Sequence, residues 1–351
     1  VDVRPGSAVT AIDRAARTVT TDAGEVHPYD HLVLATGGEA IVPEVPGLPG
    51  FRPDHPPLTG LRAEPLPERI AVFRTLDDCR RILAVAETAR TAIVLGGGLL
   101  GLEAARGLTA RGLSVRVVHA VDRLMNRQID TGASGVLTRT LAGLGIECEL
   151  GAETARVASD PDGVRLTMTD GREIAADLLV LACGVRAETG LARAAGLAVR
   201  RGVLVDDAMR TSDPDVSAIG DCAEHDGVTG GLVAPAWEQA RVVAVRLTGE
   251  EPDAVYRPPA VVTRLKATGI DLAAMGALTG AETLTFEDPA RGTYARLVID
   301  GDRLSGAIML GDNPAIGTVI QLFDRGTPVP SDRRALLLGR ALGAAPVAVA
   351  E

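Results

Sequence analysis

The sequence predicts an α/β fold: two successive three-layer modules of one plan, the first lacking its opening unit, then a small α+β domain. Three observations predict it. A strand, glycine turn, helix and strand follow one another across residues 91–119. The pattern of residues 1–37 recurs at residues 146–184. Residues 261–323 alternate short apolar strands with Gly and Asp turns.

In the first of these, the apolar run Ala92 to Leu95 ends in Gly96-Gly97-Gly98-Leu99-Leu100-Gly101. A helical pattern follows, and a second apolar run, Val115 to Val118, closes the unit. Gly96 suits the tight bend, Gly98 lets backbone approach a pyrophosphate, and Gly101 lets the helix pack close to the strand. The N–H groups that open the helix, at Leu99 and Leu100, then face the phosphates. A GxGxxG alone is weak evidence. Its place after a strand and at the head of a helix, inside one unit of about 30 residues, makes it a Rossmann-like dinucleotide site. The competing reading is a merely tight strand–helix turn.

The 351 residues are 46% apolar and 23% charged, enough for two or three domains and a large core. The net charge of −10 argues against nucleic acid or an anionic membrane surface as partner. No apolar run reaches the roughly 18 residues of a membrane span. Cys79, Cys148, Cys183 and Cys222 form no CxxC or CxxxxC pair, which argues against a disulfide framework or a metal site. No secretion signal opens the chain, so a cytoplasmic location is expected.

The repeat sets IECELGAETARVA…RLTMTDGREIAADLLVLACG beside VDVRPGSAVTAID…TVTTDAGEVHPYDHLVLATG. Each copy reads strand, strand, turn, strand, then an Asp-led apolar strand (Asp30, Asp177). Ala35-Thr36-Gly37 matches Ala182-Cys183-Gly184 at an offset of 147. Two copies of one dinucleotide-binding module explain this; chance likeness of two β-meanders is the alternative. The second copy follows its βαβ unit, with Gly96 placed 50 residues before Ile146. The first copy follows nothing, so about 55 residues carrying a first βαβ unit are expected to precede Val1. The ending APVAVAE, without turn or cap, suggests a cut there too.

The domains expected are a first module over 1–75 and 199–255, a second over 76–198, and the α+β domain over 258–340. Eight prolines between Pro43 and Pro67 mark an irregular connector. Thr75 to Arg90, residues 232–247 and residues 314–323 read as helices.

With the repeat, the glycine turn and Ile219-Gly220-Asp221 in hand, the chain resembles the two-dinucleotide-domain flavoprotein oxidoreductases of the pyridine nucleotide-disulfide type. It is most similar to the FAD- and NAD(P)H-binding portion of assimilatory nitrite reductase large subunits. YDHLVLATG, FRTLDDC, VLGGGLLGLEAARGL, DRLMNRQID, AIGDCAEH, GLVAPAWEQAR and TRLKATGIDLAAMG carry the likeness. The resemblance implies FAD in the first module and NADH or NADPH in the second. Hydride then passes to the flavin, and electrons leave singly to an iron–sulfur or sirohaem domain or protein. No cysteine motif for such clusters occurs here, which marks this chain as the electron-input module only.

The resemblance also assigns residues. Asp221, after Gly220, is expected to accept hydrogen bonds from the ribityl hydroxyls; an Asp capping the next turn is the alternative. Ala35, Thr36 and Gly37 let backbone pass close to the adenosine–pyrophosphate side of FAD, unless Gly37 is a plain turn glycine. Arg74 either reaches the flavin nucleotide or stands solvated before a helix capped by Thr75 or Asp77. Val233 and Ala234 open a helix whose N–H groups and dipole favour negative charge at flavin N1/O2. Trp237, the only tryptophan, sits by the flavin edge or, at helical spacing with Val233 and Ala240, in a core or interface. Glu103 either lies near the nicotinamide or compensates the helix dipole.

His119, 18 residues past Gly101, occupies the position where an acid usually takes the ribose 2′-hydroxyl of NAD. With Arg116 and Arg123 nearby, NADPH is admitted, although the resemblance favours NADH. Gly184 is the second module's echo of Gly37 and is expected to approach the nicotinamide cofactor. Cys222 and His225 are too few for a metal site, and a small buried Cys is expected. The function expected is FAD-dependent NAD(P)H oxidation feeding nitrite reduction. A stand-alone ferredoxin or rubredoxin reductase or NADH oxidase, and a non-catalytic nucleotide-binding fragment, are the alternatives.

Overall fold

Residues 1–49 and 65–338 are described by the computed structural model. The stretch 50–64 of the proline-rich connector and the chain's end beyond 338 lie outside the described residues. The chain divides into two units, one of residues 1–41 and 184–259, the other of 42–49, 65–183 and 260–338.

The second unit is built on a five-stranded parallel sheet. Its strand order is Ile70–Val72, Leu178–Leu181, Thr91–Leu95, Ser114–His119, Ile146–Leu150. Ile93, Val94, Val117 and Leu178 to Val180 are sealed from solvent, because helices cover both faces of a parallel sheet. The helices are Leu76–Ala86, Leu99–Thr109 and Thr131–Gly143. At one end of the sheet the Asp177 carboxylate accepts from the backbone N–H groups of Arg90 and Thr91 at 2.8 and 2.9 Å and from the Thr91 hydroxyl at 2.9 Å. The Arg90 N–H, with the Thr91 groups adding to it against burial, holds that carboxyl below its usual range. An Asp heading an apolar strand thus fixes where two neighbouring strands begin.

The third predicted domain forms, but it does not stand apart. Its antiparallel sheet runs Val262–Ala267, Ile270–Gly276, Arg303–Leu310, Thr293–Asp300, Glu282–Asp288. Side chains alternate between the two faces. Leu272, Ala274, Ile308 and Leu310 join one core with Leu102, Leu108 and Val136 of the nucleotide-type module. Ala273, Met275, Ala307 and Met309 pack on Val319 of the helix Ile316–Arg325. Both faces of this sheet are apolar and both are covered, so the boundary drawn at Pro258-Pro259 separates chain segments rather than cores.

Asp130 holds that junction. It caps the helix Thr131–Gly143 by accepting from the Ala133 N–H at 2.9 Å. Its other oxygen accepts from the Tyr294 hydroxyl at 2.6 Å and the Arg296 guanidinium at 2.9 Å. Burial and the Asp130 contact push the Tyr294 hydroxyl up to about 12.

The first unit repeats part of the second. The meander Val9–Asp13, Thr18–Thr21, Val26–Pro28 and the strand Leu32–Leu34 correspond to Thr154–Asp160, Gly163–Met168, Glu173–Ala176 and Leu178–Leu181. The offset is that of the sequence repeat. Leu32–Leu34 pairs in parallel with Val216–Ala218 on one side only, among the described residues, whereas Leu178–Leu181 has a strand on each side. The strand expected over Val1–Val3 is absent; its counterpart Ile146–Leu150 is held by Ser114–His119, to which the described part of the first unit has no equivalent. The unit also holds a short antiparallel pair, Gly38–Ala40 with Val185–Ala187, a three-stranded sheet of Val203–Val205, Ala223–His225 and Val228–Thr229, and the helices Gly190–Ala194 and Val233–Leu247.

Replacing Asp130 by Ala removes a helix cap and leaves a buried hydroxyl and guanidinium without an acceptor. A loss of about 2–4 kcal/mol is expected in urea denaturation of Asp130→Ala, against about 1 kcal/mol for Tyr294→Phe.

Candidate functional site

In the second unit the glycine turn is shaped by two close approaches. Gly96 has φ +121, and a Cβ there would lie 2.3 Å from the Ala182 carbonyl oxygen. A Cβ on Gly101 would lie 1.9 Å from the Gly96 carbonyl oxygen. Both positions therefore exclude any side chain. Gly98 differs. Its φ is −85, within reach of any residue, and nothing stands within 4 Å of where its Cβ would be. Neither backbone nor packing asks for glycine there; the space a Cβ would fill lies open over the head of the helix Leu99–Thr109. That helix has no side-chain cap, so the N–H groups of Leu99 and Leu100 keep their donors for an anion. Glu103 is half-buried and stands on the second turn of that helix, not the first.

The tip of Ser114–His119 is packed under this turn. A Cβ on Gly97 would meet the His119 ring at 2.9 Å and Leu124 Cδ2 at 2.6 Å. The Met125 N–H donates to the Gly97 carbonyl at 2.9 Å, so the segment after the strand is tied to the turn. Burial pushes the His119 imidazole down, with the Asn126 side chain and the Arg123 backbone acting the other way.

In the first unit the residues expected to hold the flavin nucleotide converge at strand ends. Leu32–Leu34 runs into exposed Ala35 and Thr36, and Gly37 turns the chain at φ +72. The Thr36 hydroxyl donates to the Glu188 carbonyl at 2.9 Å. Val216–Ala218 runs into Gly220, at φ +74, and a single 3-10 turn that carries Asp221. A Cβ on Gly38 would lie 3.5 Å from the Asp221 Cβ, and one on Gly230 would lie 3.2 Å from Asp221 Oδ1. Asp221 thus sits between two glycine-bearing loops. The helix Val233–Leu247 begins without a side-chain cap, with Val233 and Ala234 exposed.

Three residues here escaped sequence reading. Gln239, 5% exposed, accepts from the Gly220 N–H at 2.7 Å and ties the Asp221 turn to the helix. A lone polar residue on the buried stripe with Val242 and Val243 was its only signal. Burial, and the neighbouring Glu188 carboxylate to which a protonated Glu39 donates, push the Glu39 carboxyl up, beside Arg186 at 3.2 Å. Glu224, fully buried, accepts from the Arg200 guanidinium and from the N–H groups of Arg201 and Gly202 at 2.8 and 2.9 Å. Burial alone would push it up, but these donors outweigh it and hold the carboxyl below its usual range.

The remaining expected residues fall as follows. Arg74 belongs to the second unit and is exposed, one position before Thr75, which caps Leu76–Ala86 reciprocally with Asp78; Asp77 instead pairs with Arg80 at 2.7 Å. Gly184, φ +104, belongs to the first unit and accepts from the Ile41 N–H at 2.9 Å. Trp237 is 73% exposed, so it is no core residue. Cys222 is buried, its thiol 3.2 Å from the Ile219 carbonyl, and His225 pairs with Asp207 at 2.9 Å and packs edge-on against Tyr256. Burial pushes the Cys183 and Cys148 thiols up to about 11, so neither is a thiolate at neutral pH. Among the described residues no group of His, Cys, Asp or Glu is arranged for a metal ion, and no helix is long and apolar enough to cross a membrane.

Residues 1–242 match the family described as Pyridine nucleotide-disulphide oxidoreductase, and residues 262–326 match the Rubredoxin NAD+ reductase C-terminal domain. The chain is 36% identical to a nitrite reductase [NAD(P)H] large subunit of Klebsiella oxytoca, over 99% of this chain and 35% of the relative. It is 35% identical to an assimilatory nitrate reductase electron transfer subunit of Bacillus subtilis, over 88% and 38%. It therefore spans little more than a third of the length of these curated relatives. A ferredoxin reductase structure from Rhodopseudomonas palustris superimposes with a TM-score of 0.73 at 29% identity, over 87% of this chain and 72% of that one.

The Glu224 carboxyl is depressed in the fold, so its contribution is complete above the ordinary value of 4.5 and fades as pH falls through the folded value. Glu224→Gln is expected to cost about 1–3 kcal/mol at neutral pH. It should also flatten the loss of stability seen below the ordinary carboxylate value when denaturation is followed against pH.

Proposed function

The chain belongs to the pyridine nucleotide-disulphide oxidoreductase family, and on that premise we propose that it is the electron-input module of a nitrite-reducing system. FAD and NAD(P)H are its cofactors. FAD supplies the chemistry when bound: it takes hydride from the nicotinamide and gives electrons up one at a time. The chain's own residues bind and orient the two nucleotides. Leu99 and Leu100 offer backbone N–H groups and the positive end of the helix dipole to the NAD(P)H pyrophosphate, while Gly98 leaves room for it. Asp221 accepts from the ribityl hydroxyls, and Gln239 holds the Asp221 turn in place. Ala35, Thr36 and Gly37 let the flavin nucleotide lie against bare backbone. The uncapped start of Val233–Leu247 favours negative charge on the flavin pyrimidine.

One observation carries this reading: at the head of an uncapped helix, directly after the tight Gly96 bend, Gly98 leaves open the space a Cβ would fill, and neither its φ nor any protein neighbour asks for glycine there. Cys79, Cys148, Cys183 and Cys222 are free thiols that form no disulfide with one another, and in this reading the electrons go to an external acceptor. That acceptor is an iron–sulfur or sirohaem protein or domain, as the likeness to nitrite reductase large subunits supports. A ferredoxin- or rubredoxin-reducing role is the second reading, favoured by the match of residues 262–326 and by the ferredoxin reductase likeness.

Adding NAD(P)H without oxygen to the flavin-loaded chain should bleach the oxidised flavin, and unchanged absorbance would sink the proposal. Gly98→Ala should cost about 1 kcal/mol of stability yet weaken nucleotide binding about tenfold or more in titration calorimetry. Reduction of rubredoxin or ferredoxin, but of no nitrite reductase centre, would select the second reading.

A further inference from the structure

In the first unit the ribbon Gly38–Ala40 with Val185–Ala187 continues one pair further at each end. The Glu188 N–H donates to the Gly37 carbonyl at 2.9 Å, and the Ile41 N–H donates to the Gly184 carbonyl at 2.9 Å. In an antiparallel ladder, residues directly opposite share a face, and so do residues two along. Glu39 stands opposite Arg186, and Glu188 lies two positions beyond Arg186. One face of the ribbon therefore carries two carboxyls and one guanidinium. Arg186 donates to Glu39 at 3.2 Å, and Glu188 Oε1 accepts from the Gly190 N–H at 2.6 Å.

The other face of the ribbon lies toward the turn that carries Asp221, for a Cβ on Gly38 would stand 3.5 Å from the Asp221 Cβ. At its end the ribbon passes into Gly37 and Thr36, and the Thr36 hydroxyl donates to the Glu188 carbonyl at 2.9 Å. Two strands of three residues are marginal by themselves, so what happens on their charged face bears on how they hold. With both carboxyls ionised, one guanidinium answers two negative charges. The Glu39 side chain is 28% exposed and Glu188 is half-buried, so water screens their repulsion incompletely. A proton on Glu39 removes the repulsion and turns it into a hydrogen bond to Glu188, and burial acts in the same direction, against Arg186. Across the ribbon, Asp221 is the remaining charged group and adds negative charge.

We infer that Glu39 and Glu188 hold one proton between them, and that FAD binding to the first unit draws this proton in from solvent. The inference rests on the reading of the first unit as the FAD site. The FAD pyrophosphate brings about two negative charges to the exposed backbone at Thr36 and Gly37, and a negative field favours the protonated pair. The proton returns to solvent when the nucleotide leaves. Glu39 and Glu188 are positioning residues, acting on the flavin nucleotide through the ribbon that sets Thr36, Gly37 and the Asp221 turn.

Titration calorimetry of the whole chain with FAD, at several pH values and in two buffers of unlike ionisation heat, counts the protons taken up. Uptake of up to about one proton is expected, with affinity falling about threefold to tenfold as pH rises from the ordinary carboxylate value through the folded one. Glu39→Gln keeps a donor toward Glu188 without the charge, so it should abolish the uptake and hold the affinity near its acid-side value at every pH. Glu39→Ala should abolish the uptake while binding FAD more weakly. A second readout needs no flavin. Glu39 is raised in the fold, so its stabilisation is complete below the ordinary value of 4.5 and is lost as pH rises through the folded value. Glu39→Gln should flatten that loss when urea denaturation is followed against pH. Proton uptake that is absent in the unaltered chain, or that persists unchanged in Glu39→Gln, overturns the proposal. If the urea profile responds to Glu39→Gln but no FAD binds at any pH, the flavin reading of the first unit falls, and the linkage to FAD falls with it.

Discussion

The approach of the Gly96 carbonyl oxygen to the Gly101 Cα is the contact on which the glycine turn depends. Any Cβ on Gly101 would lie 1.9 Å from that oxygen. The contact sets how near the helix Leu99–Thr109 stands to the strand Thr91–Leu95. It thereby sets where the unpaired N–H groups of the helix point. Those donors cannot be moved without moving the strand, which is locked into a sheet on both sides. A preorganised anion site costs little reorganisation when its ligand arrives. The segment from His119 to Met125 is pinned to the same turn, so the turn and the tip of the second strand share one rigid support.

Rigidity extends beyond the parallel sheet because the antiparallel sheet packs onto its helices. Leu272, Ala274, Ile308 and Leu310 fill the same core as Leu102 and Leu108, and Leu102 and Leu108 belong to the helix that heads the anion site. Asp130 joins the two layers through a helix cap, a tyrosine hydroxyl and an arginine at once. A carboxylate with that many partners is stabilising only while all of them are present, which makes this junction sensitive to single changes. The first unit is supported differently. There the Asp221 turn is held by one side-chain amide, Gln239, and the neighbouring strand by the buried Glu224.

The repeated Asp at the head of an apolar strand shows how one residue can be read twice with different results. Asp177 takes three hydrogen bonds from the start of a neighbouring strand and so sets register. Asp30 heads a strand that, among the described residues, is paired on one side only. Sequence likeness identifies the equivalent positions, and the sheet around each decides what the carboxylate does.

Local signals were enough for most elements of this chain, the strand expected over Val1–Val3 excepted. Positive-φ demand at Gly96, Gly37 and Gly220, the apolar strands before them and the period of the helices after them are all properties of neighbouring residues. The parallel module, the repeat at a fixed offset and the helix starts are therefore legible without coordinates. Motif position already gave Gly98 and Gly101 different tasks, and tertiary structure supplied the physical ground: the Gly96 carbonyl presses on Gly101, while the space at Gly98 is open. It also decided that Trp237 faces outward, that the C-terminal sheet shares its core with the nucleotide helices, and that Gln239, Asp130 and Glu224 hold the turns. Those outcomes depend on partners 19 to 166 residues away, and contacts across such separations are set by how whole layers pack, which no local pattern encodes.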